Sequence, residues 1–250
     1  MKELLILVQA HNEENQIRNC VNSLKRLEVP HNFVCKVCVV LDRCTDHTKQ
    51  IITCLGVDIL EKNFRGQYAS TSAENVAFAL EKIKFGDFIL KCDADIQQIP
   101  KNALLQLLPH LAGNTKRVSA EVKTRSGKWW LDFLFWLGEI NRKITPLGEE
   151  PRGAFCIFER KTVKDINGFN KLSRSWDTAF DLKVKQKGWV VEKVKNVTVT
   201  ERRNFTIRRL IKRQINDGKV RRQLGLSFWR TLLHSIFRGR IFVLYGYIIH

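Results

Sequence analysis

The chain has 250 residues, 44% of them hydrophobic, with a formal net charge of +18. That suffices for one sizeable core with a small appendage. No run of about 18 apolar residues exists, which argues against a transmembrane helix, and the apolar stretch in MKELLILVQ is too short for a signal peptide. The charge is uneven: between Arg202 and Arg240 twelve Lys/Arg face a single acid, Asp217. Such a block points to an anionic partner, either nucleic acid, an anionic membrane surface or a phosphorylated substrate. Seven scattered cysteines, with Cys20, Cys54, Cys92 and Cys156 inside apolar runs, suit buried thiols in a reducing compartment. The Cys35/Cys38 pair lies among valines with no second pair nearby, and reads as strand rather than as a zinc or redox site.

In chain order, short apolar runs alternate with helical patterns. Leu4–Val8 precedes a helix over Glu13–Leu27 whose apolar face is Ile17, Cys20, Val21 and Leu24. Phe33–Leu41 precedes Asp46–Leu55, Val57–Leu60 precedes Ser70–Ile83, and Asp87–Lys91 precedes Lys101–Leu111. This alternation predicts βαβ units and a mostly parallel sheet covered on both faces. Ligands in such sheets bind beyond the carboxyl ends of the strands, which puts the QAHNEE, LDRCTD and CDAD segments on one rim. Val118–Val122, Gly153–Phe158 and Val190–Thr200 read as further strands. Gly127–Ile140 is an aromatic-rich helical stretch, Trp176–Lys187 a helix, and Phe205–Leu224 a basic amphipathic helix. The predicted division is an α/β domain over 1–200 and a basic amphipathic helical segment over 201–250.

The segment ILKCDADIQ (Ile89–Gln97) ends an apolar run in Asp93 and Asp95. Residues i and i+2 of an extended segment face the same way, so both acids can serve one site. A divalent cation relieves their repulsion, and Mg²⁺ or Mn²⁺ held by one or two carboxylates and substrate phosphates is the natural candidate.

Five segments together resemble a family 2 glycosyltransferase with the GT-A fold. They are VQAHNEE (Val8–Glu14), VVLDRCTDHT (Val39–Thr48), KCDADI (Lys91–Ile96), RGAFCIFERKTVKDINGFN (Arg152–Asn170) and WDTAFDLKVKQKGW (Trp176–Trp189). They occur in the family's order and cover about residues 4 to 190. The resemblance implies an α/β, Rossmann-like, mostly parallel sheet flanked by helices. It also implies inverting transfer of a hexosyl-type group from a nucleotide-sugar donor. Ala10, His11, Asn12 and Glu13 would line the nucleoside pocket, and Asp42 would accept hydrogen bonds from base or ribose. Asp93 and Asp95 would serve donor ribose and metal, with Asp95 the more direct ligand. Asp177 would be the base that takes the acceptor's proton; without the resemblance it reads as a helix N-terminal acid. Asp46 reads as structural, starting a helix.

Gln9 stands where the family has Pro, Leu41 where it has the first of two acids, and Lys183 where Arg is common. Trp176 replaces the acid before the expected base, where its indole would stack on an acceptor sugar. No Q-x-x-R-W is present; the nearest stretch is RQINDGK (Arg213–Lys219), which favours single addition over processive synthesis. Arg213 and Lys219 are expected near the diphosphate or acceptor. The basic C-terminal block suggests a peripheral contact with the cytoplasmic face of a membrane and a glycan or lipid-linked acceptor. The aromatics of Gly127–Ile140 fit either that patch or a packed core. A nucleic-acid-binding protein using the basic C-terminal block is one alternative, but the chain has no recognisable nucleic-acid-binding module and no nucleic acid is expected. A nucleotidyltransferase is the other alternative, although the chain lacks a Gly-rich phosphate loop near its N-terminus.

Overall fold

A computed structural model describes residues 1–144, 151–203, 207–237 and 239–249. The described residues divide into two compact units. The first comprises Met1–Lys123, Pro151–Leu172 and Trp176–Glu201.

The first unit is built on eight strands: β1 (Lys2–Ala10), β2 (Phe33–Asp42), β3 (Asp58–Lys62), β4 (Phe88–Asp93), β5 (Ile96–Gln98), β6 (Thr115–Arg125), β7 (Phe155–Glu159) and β8 (Val190–Arg202). Their order in the sheet is β3-β2-β1-β4-β7-β6-β8-β5. The half from β3 to β4 is parallel, as the alternating pattern predicts. β7 runs antiparallel to β4 and β6, and β5 antiparallel to β8. β1 alternates between two cores. Leu4, Ile6 and Val8 join Cys20 and Leu24 of α1 (Ile17–Lys25) on one face. Leu5 and Leu7 join Val76 of α3 (Thr71–Lys82) and Phe180 of α7 (Trp176–Gln186) on the other, with the short helices α4 (Ala103–Leu107) and α6 (Arg160–Asp165) between them in the chain. Burial on both faces is why this strand reads as a continuous apolar run.

The register fixes the rim. Gln9 of β1 lies opposite Asp93 of β4, Ala10 opposite Leu41 of β2, and Asp42 opposite Lys62 of β3. Four parallel strands thus end together, and the loops after them share one edge. In place of the family's Pro, Gln9 exchanges two side-chain hydrogen bonds with Ser72, at 3.0 and 2.7 Å. α3 is capped by Ser70, whose hydroxyl accepts from the Ala73 N–H at 3.3 Å, as N-caps do. α2 (Thr48–Leu55) is led in by Asp46, which accepts from the Thr48 N–H at 3.0 Å. The structural reading of Asp46 agrees with this. Cys35 and Cys38 lie on β2, three residues apart and so on opposite faces of a strand. Burial pushes their thiols up to about 11 and about 12. Cys54, expected inside, is exposed on the outer side of α2.

The second unit contains α5 (Trp129–Ile144), α8 (Ile207–Gln223), α9 (Phe228–Phe237) and α10 (Ile241–Ile248). α8 and α10 meet at two glycines. A Cβ at Gly218 would lie 2.1 Å from the Val243 carbonyl, and one at Gly246 would lie 2.1 Å from the Ile215 carbonyl. Only glycine permits that backbone approach. Asp217, the lone acid of the basic block, pairs with Arg240. Phe205 and Arg238 lie outside the described residues.

Candidate active site

Three carboxylates converge at the end of β4. Asp93, Asp95 and Glu201 each place an oxygen within 4.8 Å of the others. Asp93 closes β4, Asp95 follows it by two residues, and Glu201 arrives on β8, where it pairs with Ile96 of β5. Two cations are built into the surroundings. Arg152 donates to the fully buried Glu201 at 2.6 Å. Lys91, inside β4 and itself buried, pairs with Asp93 and donates to the Gly153 carbonyl at 2.7 Å. Hard oxygen donors of this kind are what Mg²⁺ and Mn²⁺ take, so the residues fit a divalent ion.

Gly153 links this cluster to the expected base. Its carbonyl accepts from Lys91, and its N–H donates to Asp177 Oδ2 at 2.9 Å. The other Asp177 oxygen accepts from the Thr178 N–H at 2.9 Å. Asp93, Lys91, Gly153 and Asp177 therefore form one continuous hydrogen-bonded chain. Residue 153 must be glycine here. An added Cβ would lie 2.6 Å from Trp176 Cζ2 and 2.8 Å from Asp177 Cβ, displacing the start of α7.

Behind Asp177 lies a second buried charge pair. Arg117 on β6 is fully buried, pairs with Asp181 and donates to the Asp177 carbonyl at 3.4 Å. Burial pushes the Asp181 carboxyl up to about 6; Arg117 opposes the rise and the charge of Asp177 adds to it. Trp176 is not the open platform expected of it. It is 7% exposed, packs against Phe158, Phe169 and Phe180, and carries Lys91 and Arg117 over its rings at 5.3 and 5.4 Å. The acid that the family has at this position is replaced by an aromatic spacer between two buried cations. Lys183 donates to the carbonyls of Ile166 and Gly168 at 3.2 and 2.8 Å, tying α7 to the preceding turn.

The first-motif residues sit on the β1 rim and are laced to the loop after β2. Ala10 is buried, and its carbonyl accepts from the Cys44 thiol. His11 Nδ1 lies 2.6 Å from the Asp42 carbonyl. Asn12 has φ 56° and accepts from the Thr45 N–H at 2.8 Å. The Glu13 N–H donates to Thr48 Oγ1 at 2.8 Å. The Asp42 carboxylate, expected to face a base or ribose, has no exposed side-chain surface and is taken up by Arg43 and Lys62. Burial would raise its pKa, but the hydrogen bonds and charges of those two cations outweigh burial and hold it below the usual carboxylate range.

The family model for glycosyl transferase family 2 matches residues 5–165. The chain belongs to this family. As a glycosyltransferase of GT-A fold it is similar to several solved structures. One is a mannosyltransferase from Pyrobaculum calidifontis in complex with GDP-Man and Mn²⁺ (17% identity, 98% of this chain and 73% of that one covered, TM-score 0.66). Another is TarS 1-349 from S. aureus (15% identity, 98% and 89% covered, TM-score 0.58). A third is glucosyl-3-phosphoglycerate synthase from Mycobacterium tuberculosis in complex with Mn²⁺, UDP and phosphoglyceric acid (13% identity, 92% and 78% covered, TM-score 0.62). No curated protein sequence matches the chain.

In the glycosyltransferase's second unit, α8 carries Arg213 and Lys219. Lys219 opens onto a groove along that helix with Ile207, Ile211 and Ile215. The aromatics of α5 are largely outside any core: Trp129 is 83% exposed, and Phe133 and Trp136 stack on each other while also exposed. Trp229 on α9 is 70% exposed. None of the described helices is long and apolar enough to cross a membrane.

Proposed function

We propose that the enzyme moves one sugar from a nucleotide-sugar donor to a hydroxyl or phosphate acceptor by a single, inverting displacement. The observation that carries this reading is the hydrogen-bonded chain from the carboxylate cluster to Asp177, which ties a metal-binding arm to a basic arm through Gly153. Ala10, His11, Asn12 and Glu13 form the nucleoside edge. Asp93, Asp95 and Glu201 would hold Mg²⁺ or Mn²⁺, and the ion when bound would supply positive charge against the departing diphosphate. Asp177, held by two backbone N–H groups at the start of α7, accepts the proton of the acceptor hydroxyl. The acceptor oxygen bonds to the anomeric carbon while that carbon's bond to the diphosphate breaks, which inverts its configuration.

Titration calorimetry of UDP-, GDP- and dTDP-sugars with and without Mn²⁺ tests this. One donor is expected to bind in a Mn²⁺-dependent manner, and Asp95→Ala to remove the Mn²⁺-dependent part. Binding of no donor would end the reading. Mn²⁺ dependence that survives Asp95→Ala would exclude Asp95 as a ligand.

The second unit supports work at a membrane surface, on the cytoplasmic face, with a glycan or lipid-linked acceptor. Exposed tryptophans on α5 and α9, beside twelve basic residues between Arg202 and Arg240, are the composition of interfacial helices. Each Lys/Arg near an anionic bilayer contributes about 1 kcal/mol. The protein is expected to sediment with vesicles containing phosphatidylserine and to stay in solution with phosphatidylcholine alone. Trp129→Ala with Trp229→Ala is expected to weaken the sedimentation. Equal behaviour with both vesicles would remove the electrostatic part. Arg213 and Lys219 on α8 then serve the lipid phosphates.

A further inference from the structure

The ends of β1 and β2 carry two non-glycine residues in the left-handed region, Asn12 at φ 56° and Arg43 at φ 50°. Such residues are uncommon and gather where function constrains the backbone. Arg43 is held there by its N–H, which donates to the carbonyl of Lys62 at the end of β3, at 2.9 Å. From that position its guanidinium folds over Asp42, with Nε 2.8 Å from Oδ1 and Nη2 3.1 Å from Oδ2. Beneath, the fully buried Lys62 ammonium reaches Asp42 Oδ1 at 3.1 Å, the Phe64 carbonyl at 2.8 Å and Glu74 at 3.5 Å. The Asp42 side chain has no exposed surface, whereas that of Arg43 is 34% exposed. A molecule arriving at the end of β2 therefore meets Arg43, not Asp42.

The side-on pairing uses Nε–H and one Nη2–H. The outer edge of the guanidinium, Nη1 and the second Nη2–H, remains as a rigid two-pronged donor. We propose that Arg43, braced by Asp42 and Lys62, selects the donor's nucleobase, and that it selects guanine. Guanine presents two adjacent acceptors, O6 and N7, along one edge. At the corresponding edge uracil and thymine offer one carbonyl beside carbon, and adenine pairs N7 with a donor amino group. Lys62 and Asp42 act through Arg43 as positioning residues. The inference rests on the nucleotide-sugar reading above.

The test is calorimetric binding of GDP, UDP, dTDP and ADP, each with Mn²⁺, to the wild-type protein, Arg43→Gln and Arg43→Lys, with melting curves to show each variant folded. GDP is expected to bind the wild type about 10- to 100-fold more tightly than UDP, the discrimination typical of one bidentate base contact. Arg43→Gln should erase most of that preference by weakening GDP alone. Arg43→Lys keeps the charge but not the fork, so it should lose the preference as well. Tighter binding of UDP by the wild type overturns the inference, as does an equal weakening of all four nucleotides, which marks Arg43 as bulk charge. Binding of none of the four overturns both this inference and the donor reading.

Discussion

Asp177→Asn is expected to lower turnover by roughly 10²–10⁴, the range for a lost general base, while donor affinity stays near that of the wild type. The substitution keeps size and shape, so Gly153, where an added Cβ would lie only 2.8 Å from Asp177 Cβ, need not move. One oxygen still accepts a backbone N–H. The amide nitrogen meets the other N–H without an acceptor, a local cost of about 1–3 kcal/mol to stability. A purely structural Asp177, serving only to start α7, predicts that cost and nothing more. Separating the two requires three measurements on the same sample: the melting temperature, the dissociation constant for the donor with Mn²⁺, and the initial rate at saturating donor. A folded variant that binds donor normally and turns over within about threefold of the wild type removes Asp177 from the mechanism.

Much of this site was legible because it is local. β1, β2 and β4 announce themselves as apolar runs, since burial on both faces leaves no polar alternation. Asp93 and Asp95 declare a shared face through their period of two. Glu201 was not legible: it joins the cluster through the pairing of Ile96 with Glu201, between segments far apart in the chain, and its strand looks like an ordinary Val/Thr alternation. A signal nonetheless existed for the cations. Lys91 sits inside the buried strand β4, Lys62 closes the edge strand β3, and Arg117 lies near the start of β6. A buried cation requires an anionic partner, so each pointed to a carboxylate still to be found. Trp176 and Asp42 were misplaced for the same reason. Motif position puts them on the rim, but Lys91 and Arg117 draw the indole inward, and Arg43 and Lys62 cover the carboxylate. The aromatics of α5 could not be decided from periodicity, because a core-facing stripe and a membrane-facing stripe have the same pattern.

Asp181→Ala is expected to destabilise the first unit by about 3–5 kcal/mol, the usual effect of stripping a buried charge of its partner. Arg117 has no exposed surface, and its other acceptors are neutral: the Asp177 carbonyl, Ser119 Oγ at 3.2 Å and the Pro151 carbonyl at 3.3 Å. Removing Asp181 leaves a guanidinium in low dielectric with dipoles alone to hold it, directly behind the start of α7. Chemical denaturation at pH 7 reads the loss; a variant within about 1 kcal/mol of the wild type would show that water or the carbonyls suffice. The carboxyl also makes wild-type stability depend on pH. Its folded-state value of about 6 lies above the ordinary 3.8, so the folded protein holds this proton more tightly than the unfolded chain does. That contribution is fully present below about pH 4 and disappears as pH rises through about 6, a change of roughly 3 kcal/mol. Asp181→Asn, which cannot titrate, should lack this slope. Parallel stability curves for the two proteins between pH 4 and pH 7 would mean that Arg117 keeps Asp181 ionised throughout.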